Sequence, residues 1–170
     1  IGLLKKVIIG DYPPHEVALM DIDAPNQKTA IDFLITQKYL GIKILSLTDI
    51  FKEGNALFYK EEGKKIQLKR IYNRLIFDEI EDKTDLFEQS FDPRSEIDAE
   101  WITHPNWFYR ISKYTMPFLK SEFVPETYFL DTLTEIPSDL ENYVLKPLSS
   151  FAGMGVIIDV TKADIAEIKD

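Results

Sequence analysis

The apolar and polar positions along the chain change period several times, and each change predicts an element. Glu16 to Ile22 (EVALMDI) is a nearly unbroken apolar run with acidic residues at its end. It predicts a buried strand that delivers Asp21 and Asp23 to a loop. Ala24-Pro25-Asn26 turns the chain. From Gln27 to Leu40, Ala30, Phe33, Leu34, Gln37, Tyr39 and Leu40 fall near helical spacing, and Gly41 supplies a stop. Ile42 to Leu47 (IKILSL) alternates as a strand does. The order strand, helix, strand with short links predicts a right-handed parallel crossover.

Further on, Ala56–Tyr59 and Lys65–Lys69 flank the turn Glu61-Glu62-Gly63-Lys64 and predict a hairpin. Ile71 to Ile80 places Ile71, Leu75 and Ile76 on one side of a helix. Glu81 to Glu100 is polar, acidic and broken by Pro93, as a boundary segment would be. Past it the texture changes, with an aromatic-rich stretch from Trp101 to Trp107 around His104-Pro105. Ile111 to Phe123 predicts a helix that Pro117 kinks or confines to a first turn, and Val124-Pro125 ends it. Thr127 to Leu130 predicts a short strand and Ser138 to Asn142 a helical turn. Tyr143–Lys146 and Val156–Val160 predict two β runs around the loop Pro147 to Gly155, and Thr161 with Asp164 opens a last helix as a capping box. The fold class expected is α/β in two parts, residues 1–100 and residues 101–170.

Charge narrows the possible functions. The 170 residues carry a formal net charge of −9 with acidic residues spread throughout. That disfavours a nucleic-acid surface, which needs clustered Lys and Arg; the densest basic stretch, Lys64 to Arg74, is short and interrupted. An acidic chain that holds a phosphate must do so locally, with a few lysines and backbone N–H groups. With no cysteine and two histidines, disulfides and a catalytic thiol are excluded and a transition-metal centre is disfavoured. No apolar run approaches the roughly 20 residues that span a bilayer, so a cytoplasmic protein without a membrane partner is expected. The opening Ile1-Gly2-Leu3-Leu4 reads as a cut through a longer protein.

One segment combines features suited to holding an anion. In Tyr143-Val144-Leu145-Lys146-Pro147-Leu148-Ser149-Ser150-Phe151-Ala152-Gly153-Met154-Gly155-Val156 a lysine closes an apolar strand beside a small, polar loop. Gly153 and Gly155 permit positive φ and let amides face an anion with no Cβ in the way. Ser149 and Ser150 add hydroxyl donors, and Lys146 adds a full charge. An ordinary hairpin turn would also use two glycines, and strand lysines are commonly solvated; the combination favours a phosphate cradle. It is not a Walker A loop, since no Gly-Lys-Ser/Thr opens a helix. Nor is it a dinucleotide fingerprint, because the glycines lie between two strands, which leaves an NAD-dependent oxidoreductase without its glycine motif.

Val144-Leu145-Lys146-Pro147, the small-residue glycine loop and Gly155-Val156 resemble the ATP-grasp superfamily. There a strand lysine meets the nucleotide and the adjoining loop folds over the phosphates. Upstream, Ser112-Lys113, a helix and Val124-Pro125-Glu126-Thr127 resemble the family's earlier segment, and Lys113 and Lys146 resemble its paired nucleotide lysines. The resemblance covers roughly Trp107 to Asp159, with glutathione synthetase and glutathionylspermidine synthase relatives the nearest in flavour.

The resemblance implies a Rossmann-like pre-ATP-grasp domain (1–100) followed by a truncated α+β first ATP-grasp subdomain (101–170). It implies ATP and Mg2+ as cofactors, with Lys113, Lys146, Ser149, Ser150, Phe151, Ala152, Gly153, Met154 and Gly155 at the nucleotide. It further implies ATP-dependent ligation of a small carboxylate substrate to an amine or related nucleophile through an acyl phosphate. The metal-binding carboxylates and a later Asn of that family have no counterpart here, so the remainder of the ATP-grasp domain is the expected partner, and the chain alone is expected to be inactive.

Other residues have structural readings beside functional ones. Asp21 and Asp23 suit a ligand site at a strand's carboxyl end, or else a solvated loop or helix cap. Arg70 and Arg74 suit a substrate carboxylate or surface salt bridges, and His104 suits packing among aromatics. The alternative for the whole chain is a non-catalytic α/β ligand- or protein-binding module.

Overall fold

The computed structural model describes residues 2–75, 85–105, 107, 111–150 and 153–169. The chain is mixed α/β and divides into two compact units, Ile1–Pro105 and Asn106–Asp170.

In the first unit, helix α1 (Gly2–Ile8) precedes strand β1 (Val17–Asp21), helix α2 (Ala30–Leu40) and strand β2 (Lys43–Ser46). Strands β3 (Ile50–Glu53), β4 (Ala56–Glu61) and β5 (Lys64–Leu68) follow, then β6 (Arg70–Asn73) and β7 (Glu100–Ile102). Strand β1 is buried along its whole length, as its unbroken apolar run requires of a central parallel strand. It pairs in parallel with β2 on one side and with β6 on the other, and β6 pairs in parallel with β7. The sheet order is therefore β2-β1-β6-β7. The parallel crossover from β1 to β2 is present, with α2 as its connection.

Helix α2 begins at Ala30, three positions later than its apolar spacing suggested, because Ala24–Asn26 forms a separate 3-10 turn that carries Pro25 in its first turn. It ends where Gly41 takes up φ 73° and donates its N–H to the Gln37 carbonyl at 2.8 Å.

Between β2 and β6 the chain forms an antiparallel sheet of order β3-β4-β5. Its β4–β5 hairpin is the one expected, and Glu62 and Gly63 both have positive φ at the turn. Side-chain alternation along β1 divides the core. Val17 and Leu19 pack with Ile8, Ile9, Phe33, Leu40 and Ile42. Ala18 and Met20 pack with Leu45, Leu57, Tyr59, Leu68 and Ile71. One face of the parallel sheet thus carries α1 and α2, and the other carries the antiparallel meander.

Two expectations for this unit fail. The start of the Ile71–Ile80 helix is instead strand β6, because Ile71 is fully buried in the central ladder between Ala18 and Trp101; residues 76–80 lie outside the described residues. Trp101 and Ile102, assigned to the second part, belong to β7 of the first unit's sheet.

The second unit holds less regular structure. Lys113–Phe118 is a 3-10 helix, with shorter 3-10 turns at Leu130–Thr132 and Leu140–Asn142, and Lys162–Lys169 is an α-helix. A small core of Leu140, Val160 and Ile165 is flanked by Leu130, Ile136, Leu145 and Ile157. The helix expected over Ile111–Phe123 shrinks to Lys113–Phe118. Pro117 cannot donate the i→i−4 bond to Lys113, so an α-helical ladder does not propagate. Thr127–Phe129 is not a strand, since no neighbour pairs with it among the described residues, and Leu130 begins a 3-10 turn.

The last helix opens on the expected capping box. The Thr161 Oγ1 and N–H both donate to Asp164 Oδ2, at 2.6 and 2.8 Å, and the Asp164 N–H donates to Thr161 Oγ1 at 3.3 Å. The Thr161 hydroxyl first, and its N–H second, hold the Asp164 carboxyl below its ordinary value. A depressed carboxylate contributes helix stability above its unfolded pKa and loses it as pH falls through the folded one. Protection of the Lys162–Lys169 amides against exchange is therefore expected to fall on acidification below the ordinary carboxylate range. In Asp164→Asn this acid-dependent step should be absent.

Candidate functional site

The glycine loop is anchored by one antiparallel residue pair. Leu145 N–H donates to the Ile157 carbonyl at 3.0 Å, and Ile157 N–H returns a bond to Leu145 at 2.9 Å. The two β runs expected here shrink to this bridge. Pro147 lacks the N–H that would extend the ladder on one side, and Asp159, at φ 59°, leaves the extended region on the other. Within the loop, Gly153 and Gly155 have φ 80° and 66°, and the Val156 N–H donates to the Gly153 carbonyl at 3.2 Å. A Cβ at Gly155 would lie 2.7 Å from Pro147 Cγ. Glycine there is demanded twice, by the backbone conformation and by the proline ring against it.

Lys113 reaches this loop from a segment remote in sequence. Its segment starts at Ser112, whose Oγ accepts the Tyr114 N–H at 3.3 Å. The rings of Tyr114 and Phe118 pack on Phe129, with centroids 5.2 and 5.6 Å away. Lys113 Nζ donates to the Ser150 carbonyl and to Ser150 Oγ, both at 2.6 Å. Both residues are half-buried. Among the described residues Lys113 has no carboxylate partner, so its charge is met only by neutral oxygens. A partly desolvated ammonium in that setting favours an anion.

The other residues named from the sequence are less constrained. Lys146 and Ser149 are exposed, and Lys146 is held by no hydrogen bond or ion pair among the described residues. Met154 is exposed, and Phe151 and Ala152 lie outside the described residues. The structure thus brings Lys113 and Ser150 together. Nothing in the sequence pointed to that pair beyond the presence of both in the candidate set.

In the first unit the polar groups at the carboxyl end of β1 serve the fold. Asp21 is buried and its Oδ1 accepts from Ile22 N–H at 2.6 Å and Gln27 Nε2 at 2.8 Å. Asp23 accepts from Asn26 Nδ2. Arg70 donates to the carbonyls of Val7 and Ile8, closing the end of α1, and pairs with Glu100. Arg74 pairs with Asp32 at 3.1 Å and lies over the Phe33 ring. The salt-bridge reading of the two arginines is the one observed. His104 packs edge-on against Trp101.

Among the described residues, no group of three or more His, Cys, Asp or Glu side chains is arranged to hold a metal ion. No helix among them is long and apolar enough to cross a membrane. No protein-family model matches the chain, and no curated protein matches it.

Proposed function

We propose that Lys113, Lys146 and the loop Ser149–Gly155 form a cradle for the phosphates of ATP, in an ATP-grasp ligase that joins a carboxylate to an amine or related nucleophile. The first unit would then be its Rossmann-like pre-ATP-grasp domain. The observation that carries this reading is the Lys113 ammonium on Ser150, half-buried and without a carboxylate partner among the described residues. It supports the idea that a lysine from a separate segment serves the glycine loop.

In such a reaction a carboxylate oxygen of the substrate attacks the γ-phosphorus of ATP. A carboxyl O–P bond forms, the bond to the β-phosphate oxygen breaks, and ADP leaves. The nucleophile next attacks the acyl carbon, inorganic phosphate departs with the C–O bonding pair, and the amine's surplus proton passes to solvent. The chain's residues would contribute position and charge. The two ammonium groups offset charge on the phosphate oxygens, and the loop amides orient them. Mg2+ accompanying ATP would supply further charge neutralisation. The loop closing over the phosphates would keep water from the acyl phosphate. No nucleophile on the protein is needed.

Calorimetric titration with Mg-ATP tests the cradle. Loss of a charge-assisted hydrogen bond costs about 1.5–3 kcal/mol, so Lys146→Ala is expected to weaken binding by roughly tenfold or more. Because Lys146 is exposed, the variant should retain the wild-type circular dichroism and melting point. Unchanged affinity in that variant would sink the proposal. Absence of any heat with the unaltered chain would favour the non-catalytic binding module instead.

A further inference from the structure

We infer that Ser150 is a positioning residue for the nucleotide phosphates: it aims the Lys113 ammonium and presents its own hydroxyl proton beside it. The inference rests on the phosphate-cradle reading and adds a specific division of labour within it.

An ammonium has three N–H donors. Two of those of Lys113 are directed at Ser150, one to the backbone carbonyl and one to Oγ, each at 2.6 Å. Two bonds to one residue fix the direction of the third N–H, which a lysine with four rotatable side-chain bonds could not do alone. That third donor has no carboxylate to meet among the described residues. Ser150 Oγ accepts from Nζ, and so its own O–H is left to donate elsewhere. A hydroxyl that accepts from a cation is polarised into a better donor. The pair therefore offers two adjacent donors, N–H and O–H, to a single phosphate oxygen.

Exposed Ser149, its neighbour in sequence, has no such link to a lysine. Although the sequence presents the two serines as equivalent hydroxyls, the structure distinguishes them.

A double-mutant cycle read by NMR chemical-shift titration of the full 170-residue chain with ATP, and in parallel with inorganic triphosphate, tests this. Ser150→Ala is expected to raise Kd about tenfold for both ligands, and Ser150→Thr, which keeps the hydroxyl, to stay within about threefold of the unaltered chain. In a Lys113→Ala background, Ser150→Ala should raise Kd by only about threefold, since the hydroxyl keeps its own donation but has no ammonium to aim or to polarise it. An equal loss in both backgrounds would show that Ser150 acts independently of the Lys113 ammonium and would overturn the inference. So would unchanged binding in Ser150→Ala; if Lys146→Ala still weakened ATP, the cradle would survive without this role for Ser150. No shift in the unaltered chain at millimolar ATP would overturn both readings.

Discussion

Phe33→Ala is expected to destabilise the first unit by about 3–5 kcal/mol. Phe33 is almost wholly buried, where α2 meets the parallel sheet, among Ile8, Ile9, Val17, Leu19, Leu40 and Ile42. Truncation would remove the largest side chain of that cluster. It would also strip the ring beneath the Arg74 guanidinium, 5.2 Å from its centroid. Neighbours drawn from α1, β1 and the segment leading into β2 cannot all move into the space without shifting the sheet, so a cavity would remain. At about 4–8 °C per kcal/mol for a unit of this size, the thermal midpoint should fall by about 12 °C or more. A loss under 1 kcal/mol would mean that α2 does not seat Phe33 on the sheet.

The second large effect is expected at Ile71, the residue at which sequence and structure part. In strand β6 it lies between Ala18 of β1 and Trp101 of β7 and is fully buried. Ile71→Ala should cost about 2–5 kcal/mol, and Ile71→Val about 0.5–1.5, because valine keeps the branched side chain that suits the pleated sheet. On an amphipathic helix the order of backbone preference would reverse, with alanine favoured and valine penalised. Urea unfolding followed by tryptophan fluorescence is suited to the comparison, since Trp101 is the cross-strand neighbour. If alanine were tolerated as well as valine, the β6 assignment would fail.

The strand conformation of Ile71, against its helical spacing, has a physical explanation. Arg70-Ile71-Tyr72-Asn73 is short, and Ile71, Leu75 and Ile76 also satisfy helical spacing. A short mixed run cannot be assigned by periodicity, and the partner that decides it lies far away: Val17 to Met20 on one side and Glu100 to Ile102 on the other. Helix 111–123 failed differently. Its apolar spacing was adequate, but Pro117 stopped the ladder, leaving a 3-10 segment that ends at Phe118. The strands flanking the loop are shorter than their apolar runs predict for a comparable reason, since Pro147 and the positive φ at Asp159 confine pairing to Leu145 and Ile157.

What the sequence determined by itself is local: the unbroken apolar run of β1, the Gly41 stop, the β4–β5 turn, the Thr161–Asp164 cap and the glycines of the Pro147–Gly155 loop. Each depends on a few adjacent residues whose backbone preferences or side-chain reach settle the outcome. Tertiary structure alone decided that Ile71 is strand, that β7 completes the first unit's sheet, and that Lys113 meets Ser150 and not Ser149. Those outcomes depend on contacts between residues tens of positions apart, where burial and pairing override spacing along the chain.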